Sequence, residues 1–410
     1  MKCLVRYCWA SLTIAMITMI QPACHTAPAA ADTPVPGSFG YDLQFLQQHD
    51  SGLVLLKNGD AQLIASAKYQ GKVFTSTADG PRGKSFGWIH YKAFDGPPDP
   101  HMNAYGGENR CWLGPEGGPF SLYFAPGAAM EFANWHTPAA FDSEPWQLHM
   151  QTDSTAVFIK DMQLTNYAGT PLSLAVKRSV TLLGNYGIGN LLGITLGPTL
   201  KAVGYRTENT LTNTGANAWT ETSGMPCLWM LDMFPPSDTT TVVIPYTAGS
   251  DQPANTGYFG EIPAARISHH NNTLFFKADG KSRGKLGIKP GRTLPIAGSY
   301  DAAHDVLTII QFDTAGSMKY LNQEWTTAKP PFSGDAMNAY NDGPLAGGGQ
   351  MGPFYELESV SPAAFLPPAQ SLTHRHSVFH FTGRREALDT LCQSLLGATL
   401  QTIETAIPKP

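Results

Sequence analysis

Charge is scarce in this 410-residue sequence: Asp, Glu, Lys and Arg make up 14% of it, and the formal net charge is −5. No run of Lys and Arg occurs, so the electrostatic footprint of a nucleic-acid surface is missing and no nucleic-acid partner is expected. Cysteine is scarce as well. Cys3, Cys8 and Cys24 stand near the start, while Cys111, Cys227 and Cys392 are far apart and odd in number. That spacing excludes a zinc knuckle and allows at most one disulfide, so buried free thiols are expected. The apolar run from Trp9 to Ile20 is too short to span a membrane. No blade-length repeat is visible, which counts against a propeller.

What the chain does hold is glycine and proline, 41 and 32 residues, beside 42% hydrophobic residues. This composition argues for many turns between short strands around a large core. The start reads as a targeting segment, with Lys2 and Arg6 ahead of the apolar run. Two exits compete. Ala23-Cys24 resembles the end of a lipoprotein signal, with Cys24 lipidated; ordinary cleavage after Ala29-Ala30-Ala31 is the other. Residues 1–31 are therefore assigned to the signal and the start of an Ala/Pro-rich tether, and 32–410 to one domain. The expected location is the periplasm, or the cell envelope through a lipid anchor, which would be the sole membrane contact.

Strand text is nearly continuous after the tether. Leu53–Leu56, Ala61–Ala65, Lys72–Ser76 and Phe86–Tyr91 read as strands, with turns at Gly59-Asp60 and Gln70-Gly71. Ala156–Leu164 and Leu172–Leu182 alternate apolar and polar residues, as half-buried strands do. Tyr205–Asn213, Ala218–Thr222, Cys227–Leu231, Thr241–Ile244, Leu274–Lys277, Lys285–Ile288, Val306–Phe312, Glu356–Ser359 and His376–Phe381 continue the series. Arg384–Leu396 carries Leu388, Leu391, Leu395 and Leu396 at helical spacing and is the one clear helix expected. The expectation is an all-β chain: a large antiparallel two-sheet sandwich with a short C-terminal helix.

Near the end, Phe354-Tyr355-Glu356-Leu357-Glu358-Ser359 leads through Ser361-Pro362-Ala363 and Leu366-Pro367-Pro368-Ala369-Gln370-Ser371 to the closing strand Ser377–Phe381. This order of elements resembles the galactose-mutarotase-like family, the aldose 1-epimerases and their relatives on the β-supersandwich fold. The phrases GGENRCWLGPEGG, KLGIKPGR, GSYD, NAYNDGP and YELESVSPAAFL resemble, more narrowly, an uncharacterised family of bacterial exported proteins and lipoproteins on that fold. The resemblance implies that an acid of the late strand takes a proton from the anomeric hydroxyl while a histidine protonates the ring oxygen. Glu358 matches that acid. Glu356 stands two residues earlier on the same strand face, roughly 7 Å away. Arg110 is the counterpart of a substrate-binding arginine. The catalytic histidine has no counterpart: the corresponding region holds Trp229, which can stack on a sugar but cannot protonate it. His136, His374 or His376 would have to reach the site instead.

The expected site thus gathers Glu358, Glu356 and His376 as catalytic candidates. Glu108, Arg110, Trp112, Trp229, Asn338, Asn341, Asp342 and His374 are the ligand-binding candidates. Asn338 to Asp342 are also ordinary turn formers, Glu108 and Arg110 equally suit a buried ion pair, and Lys277, Lys285, Lys289 and Arg292 read as a solvated face. No cofactor is required, although the two glutamates, or Glu358 with His374 and His376, offer oxygen and nitrogen donors to calcium or another cation. The reading is a carbohydrate-binding protein. Alternatives are an epimerase or other carbohydrate-active enzyme with Glu358 as base, and a non-catalytic envelope module.

Overall fold

The computed structural model describes residues 34–345 and 347–408. The leader-like segment and Cys24 lie outside the described residues. The described residues form one compact unit.

Alternation decides the largest sheet. In Pro171–Leu183 the residues Leu172, Leu174, Val176, Val180 and Leu182 are buried and their neighbours are not, so one face of the strand meets the core. This strand sits in a ten-stranded antiparallel sheet. Its order runs from Ile267–His270 through Thr273–Lys277, Thr240–Pro245, Ile296–Asp301, Val306–Phe312, Ser371–Gly383, Leu200–Asn213 and Pro171–Leu183 to Thr155–Thr165 and Gln147–Gln151. A six-stranded antiparallel sheet packs against it, ordered Ala254–Asn255, Gly284–Ile288, Met337–Asn341, Tyr355–Val360, Cys227–Phe234 and Arg110–Gly114. Its central strands are buried along their whole length, as expected of a sheet covered on both faces. The large antiparallel sandwich is therefore as expected, and a separate three-stranded sheet, Val54–Asn58, Ala61–Ser66 and Lys72–Thr77, is added to it.

Several local expectations are corrected. Phe86–Tyr91 is not a strand: the Phe86 N–H bonds to Ser76 and the Trp88 N–H to Met233, so the segment bridges different strands instead of pairing with one. Ala218–Thr222 is a turn held by Thr220 and Ser223. Met337–Asn341, rich in turn-forming residues, is a fully buried strand, because its partners on both sides supply the ladder. The C-terminal helix Arg385–Leu396 is followed by a second, Leu400–Ala406, and both cover the outer side of the ten-stranded sheet with Leu388, Leu391, Leu396 and Ile403. Phe39–His49 is also helical, opened by Ser38 whose side chain accepts from the Tyr41 N–H. Cys111, Cys227 and Cys392 are buried free thiols.

The space between the two sheets is partly polar. Arg178 occupies a buried-face position in phase with the apolar residues of its strand and is fully enclosed. Its Nε donates to the Gly71 carbonyl at 2.9 Å, Nη1 to Asn209 Oδ1 at 2.7 Å, and Nη2 to Asn109 Oδ1. Asn109 Nδ2 donates to Asp232 Oδ1 at 2.6 Å. Asp232 Oδ2 meets His376 Nε2 at 2.7 Å, and Ser359 Oγ lies 2.8 Å from both His376 Nδ1 and His374 Nε2. One proton arrangement satisfies the row: His374 Nε2–H donates to Ser359, Ser359 O–H to His376, and His376 Nε2–H to Asp232. Burial first, and then His376, push His374 down to about 3, so it stays neutral and suits this role.

Candidate functional site

Period-two geometry separates two faces of the six-stranded sheet. Ser359, Asp232 and Tyr355 face the ten-stranded sheet, where they meet His376, His374 and Ser299. Glu356 and Glu358 alternate with them and point the other way. The register puts Asn338, Leu231 and Arg110 beside Glu358, and Tyr340, Met233 and Lys285 beside Glu356. Trp112 and Trp229 are paired on that same outer face.

The outer face carries a dense charge cluster. Glu358 is fully buried; its Oε2 accepts from Trp229 Nε1 at 2.8 Å and from Lys285 Nζ at 3.0 Å. Its Oε1 has no hydrogen-bond partner among the described residues. Arg110 Nη2 donates to Glu356 Oε1 at 2.8 Å, and Arg110 Nε has no partner among the described residues. The Arg110 guanidinium lies 4.5 Å from the Trp112 ring centroid, and Lys285 Nζ lies 4.9 Å from that of Trp229. Both tryptophans are buried and support cations; neither offers an open platform.

Burial pulls Lys285 down, but Glu358, Glu116 and Glu356 outweigh it and hold the ammonium above its ordinary value. Burial pushes Glu356 up to about 8; Arg110 opposes this, and neighbouring Glu358 reinforces it. Glu116, on the loop after Gly114, is also raised, first by burial and against the pull of Lys285. Two carboxyl groups on one strand thus sit in different settings: Glu358 against a cation, Glu356 retaining its proton near neutrality.

This arrangement has a measurable consequence. The folded pKa of Glu356 exceeds its unfolded value near 4.5, so the native state holds a proton that the unfolded chain has released. Its contribution to stability is full below about pH 4.5 and is lost as pH rises toward about 8. Urea unfolding across that range should show a negative slope of stability with pH that Glu356→Gln flattens. An unchanged slope would mean that Glu356 ionises normally.

The expected residues divide accordingly. Glu356, Glu358, Arg110, Trp112, Trp229 and Asn338 come together on the outer face. His374 and His376 do not: they contact Ser359, on the opposite side of the strand from Glu358, so the expected Glu358–histidine grouping is corrected by strand alternation. Glu108 is separated from Arg110, accepting from Ser76 and meeting His380 at 3.1 Å. Asn341 ties down the 280–282 turn through the Gly280 N–H and Ser282 carbonyl. Asp342 accepts from Tyr340 and Gly352. His136 is exposed and stacks on His101.

Lys285 is the main omission from the sequence reading. Its sequence context reads as a solvated face, yet it is 7% exposed and bonded to Glu358. Glu116 and Asp232 carried no distinguishing pattern, whereas Arg178 did, as a lone charge in phase with buried aliphatic residues. Among the described residues no group of three or more His, Cys, Asp or Glu is arranged to hold a metal, and no helix is long and apolar enough to cross a membrane.

The protein is an antiparallel β-sandwich with a buried acid–base cluster on the outer face of its smaller sheet. The model of a family of unknown function, DUF6786, matches residues 37–407, and the chain belongs to that family. No curated protein matches it. Among solved structures, the chain is similar to the Slr1438 protein from Synechocystis at 16% identity, with a TM-score of 0.49 and coverage of 81% of this chain and 96% of that one. It is also similar to a galactose mutarotase-like protein from Lactobacillus casei, at 12% identity, TM-score 0.47 and coverage of 80% and 100%. A galactose mutarotase related enzyme from Lactobacillus acidophilus shows 7% identity, TM-score 0.44 and coverage of 81% and 97%.

Proposed function

We propose that this is an exported carbohydrate-binding protein whose ligand meets the outer face of the six-stranded sheet at Glu358. The observation that carries the reading is the state of that carboxylate. One oxygen is fixed by Trp229 and Lys285 and the other is buried without a partner among the described residues, as is the Nε of Arg110, two strands across on the same face. Unpaired buried polar atoms cost free energy, of order 1–3 kcal/mol each, and a hydroxyl-rich ligand supplies both a donor for the carboxylate and an acceptor for the guanidinium. The resemblance of the late strand to sugar-active proteins supports the same chemistry, and the leader-like start supports export.

A second reading, turnover of the sugar, is favoured by the Glu356 setting. With Glu358 taking the proton of the anomeric hydroxyl, Glu356 gives its proton to the ring oxygen as the bond from that oxygen to the anomeric carbon breaks. Glu356 then supplies the acid that the absent histidine would have supplied. Reversal from the other side of the carbonyl returns both protons and exchanges the anomers.

The test is a thermal-shift screen against monosaccharides, uronic acids and short glycans, with and without calcium. A ligand-specific rise in Tm is expected, and Glu358→Gln should abolish it. Anomer exchange by the wild type, followed by NMR, should be lost in Glu356→Gln. A folded sample that responds to no glycan would remove the carbohydrate reading in favour of a structural envelope module.

A further inference from the structure

A cleft of about 510 Å3 opens beside the acid cluster, lined among others by Asn255, Tyr320, Asn322, Glu324, Phe332 and Asp335. We infer that this cleft is a second sugar subsite, so that the ligand spans at least two rings; the inference rests on the carbohydrate reading of the Glu358 face.

The first argument is contact between the two places. Asp335 Oδ2 accepts from the Tyr258 hydroxyl at 2.6 Å, and Asn338 Nδ2 lies 3.3 Å from the same hydroxyl. Asn338 is the register partner of Glu358 and shares its face. The Tyr258 ring also lies 5.6 Å from Lys285 Nζ. One tyrosine therefore links a wall residue of the cleft, Asp335, to two members of the cluster, Asn338 and Lys285.

The second argument is the chemistry of the lining. Asp335 is 5% exposed and, among the described residues, has no ion-pair partner. Among the described residues its one side-chain donor is Tyr258, which leaves acceptor capacity on the carboxylate. Burial pushes this carboxyl up to about 6; Tyr258 opposes the rise and Glu324 adds to it. Asn322 and Asn255 bring amides, and Glu324 is held by Lys329 at 2.7 Å and by Asn255 at 3.2 Å. Phe332 and Tyr320 supply apolar ring surface. Carboxylates, amides and aromatic surface in one lining match a pyranose ring, which has hydroxyl edges and an apolar C–H face. The volume lies within the range of roughly 300–1,000 Å3 usual for small-ligand clefts.

The full chain should be titrated calorimetrically with glucose, galactose and N-acetylglucosamine, and with cellobiose, lactose and chitobiose. At least one two-ring probe should bind about tenfold tighter than its single ring, a difference of about 1.4 kcal/mol. Asp335→Asn and Phe332→Ala should each remove that gain, bringing the two-ring affinity down to that of the single ring. Single and double rings binding equally well to the wild type would overturn the subsite, and so would a gain that survives both substitutions. If single rings bind and Glu358→Gln abolishes that binding, the first reading stands whatever the cleft does. Binding by none of the six probes would overturn the subsite, and the first reading falls with it if uronic acids and longer glycans also leave the Tm unshifted.

Discussion

Replacing Arg178 by Leu should lower the unfolding free energy by about 3–5 kcal/mol, the largest effect expected of any single substitution in the sandwich. The guanidinium is fully enclosed and joins three parts of the chain: Gly71 beside the small sheet, Asn109 at the edge of the six-stranded sheet, and Asn209 in the ten-stranded sheet. Leucine would pack against Val176 and Val180 but would leave the Gly71 carbonyl and two amide oxygens buried without donors, each costing about 1–3 kcal/mol. It would also remove the cation that interacts electrostatically with Asp232, which keeps only Asn109 and His376. Arg178→Lys should recover only part of the loss, because an ammonium keeps the charge and loses the planar fork. Urea unfolding measures this as a fall in midpoint with unchanged m-value. A loss below about 1 kcal/mol in a folded Arg178→Leu protein would show the network to be dispensable.

Lys285→Met should be the second large effect, of similar size, about 3–5 kcal/mol. Methionine preserves the apolar stem over Trp229 but removes the ammonium, and Glu358 keeps a full charge with only the Trp229 N–H to solvate it. Breaking one side of a buried pair is the costly direction, because the remaining charge is uncompensated. The double variant Lys285→Met/Glu358→Gln should therefore be more stable than Lys285→Met alone, although it carries one more substitution. A double-mutant cycle by urea unfolding reads this coupling directly. Additive losses would sink the idea that the two groups are a functional pair buried together. On the carbohydrate reading proposed above, glycan binding should fall in both single variants, since Lys285 holds one oxygen of the Glu358 carboxylate.

These two residues illustrate where sequence reading ends. Glu356 and Glu358 were legible because strand alternation and the text around them put two acids on one face. Arg110 and Trp229 were legible through the resemblance of their surrounding motifs. Lys285 was not, since a lysine among Gly and Lys in hairpin text looks the same whether it faces water or a carboxylate contributed 73 positions later. Arg110 and Glu356 lie 246 positions apart, and His376 and Asp232 lie 144 apart. No local pattern encodes such pairs. The histidines were misplaced for a related reason: proximity to the acid strand was readable, but the face of that strand was fixed only by the register with Ser371–Gly383 and the packing of the two sheets.

By itself the sequence determined the strand-rich architecture, because alternation of apolar and polar residues and the spacing of Gly and Pro are local properties of the chain. It also determined that few charges would be available and that those few would matter. Only the tertiary structure decided which charges meet. It turned the solvated-looking Lys285 into the partner of Glu358 and sent His374 and His376 to the inner polar row. It also closed Trp112 and Trp229 beneath cations and opened the cleft over Asp335. The physical reason is that burial and electrostatic pairing depend on distances across sheets, and those distances are set by register and packing between segments remote in sequence.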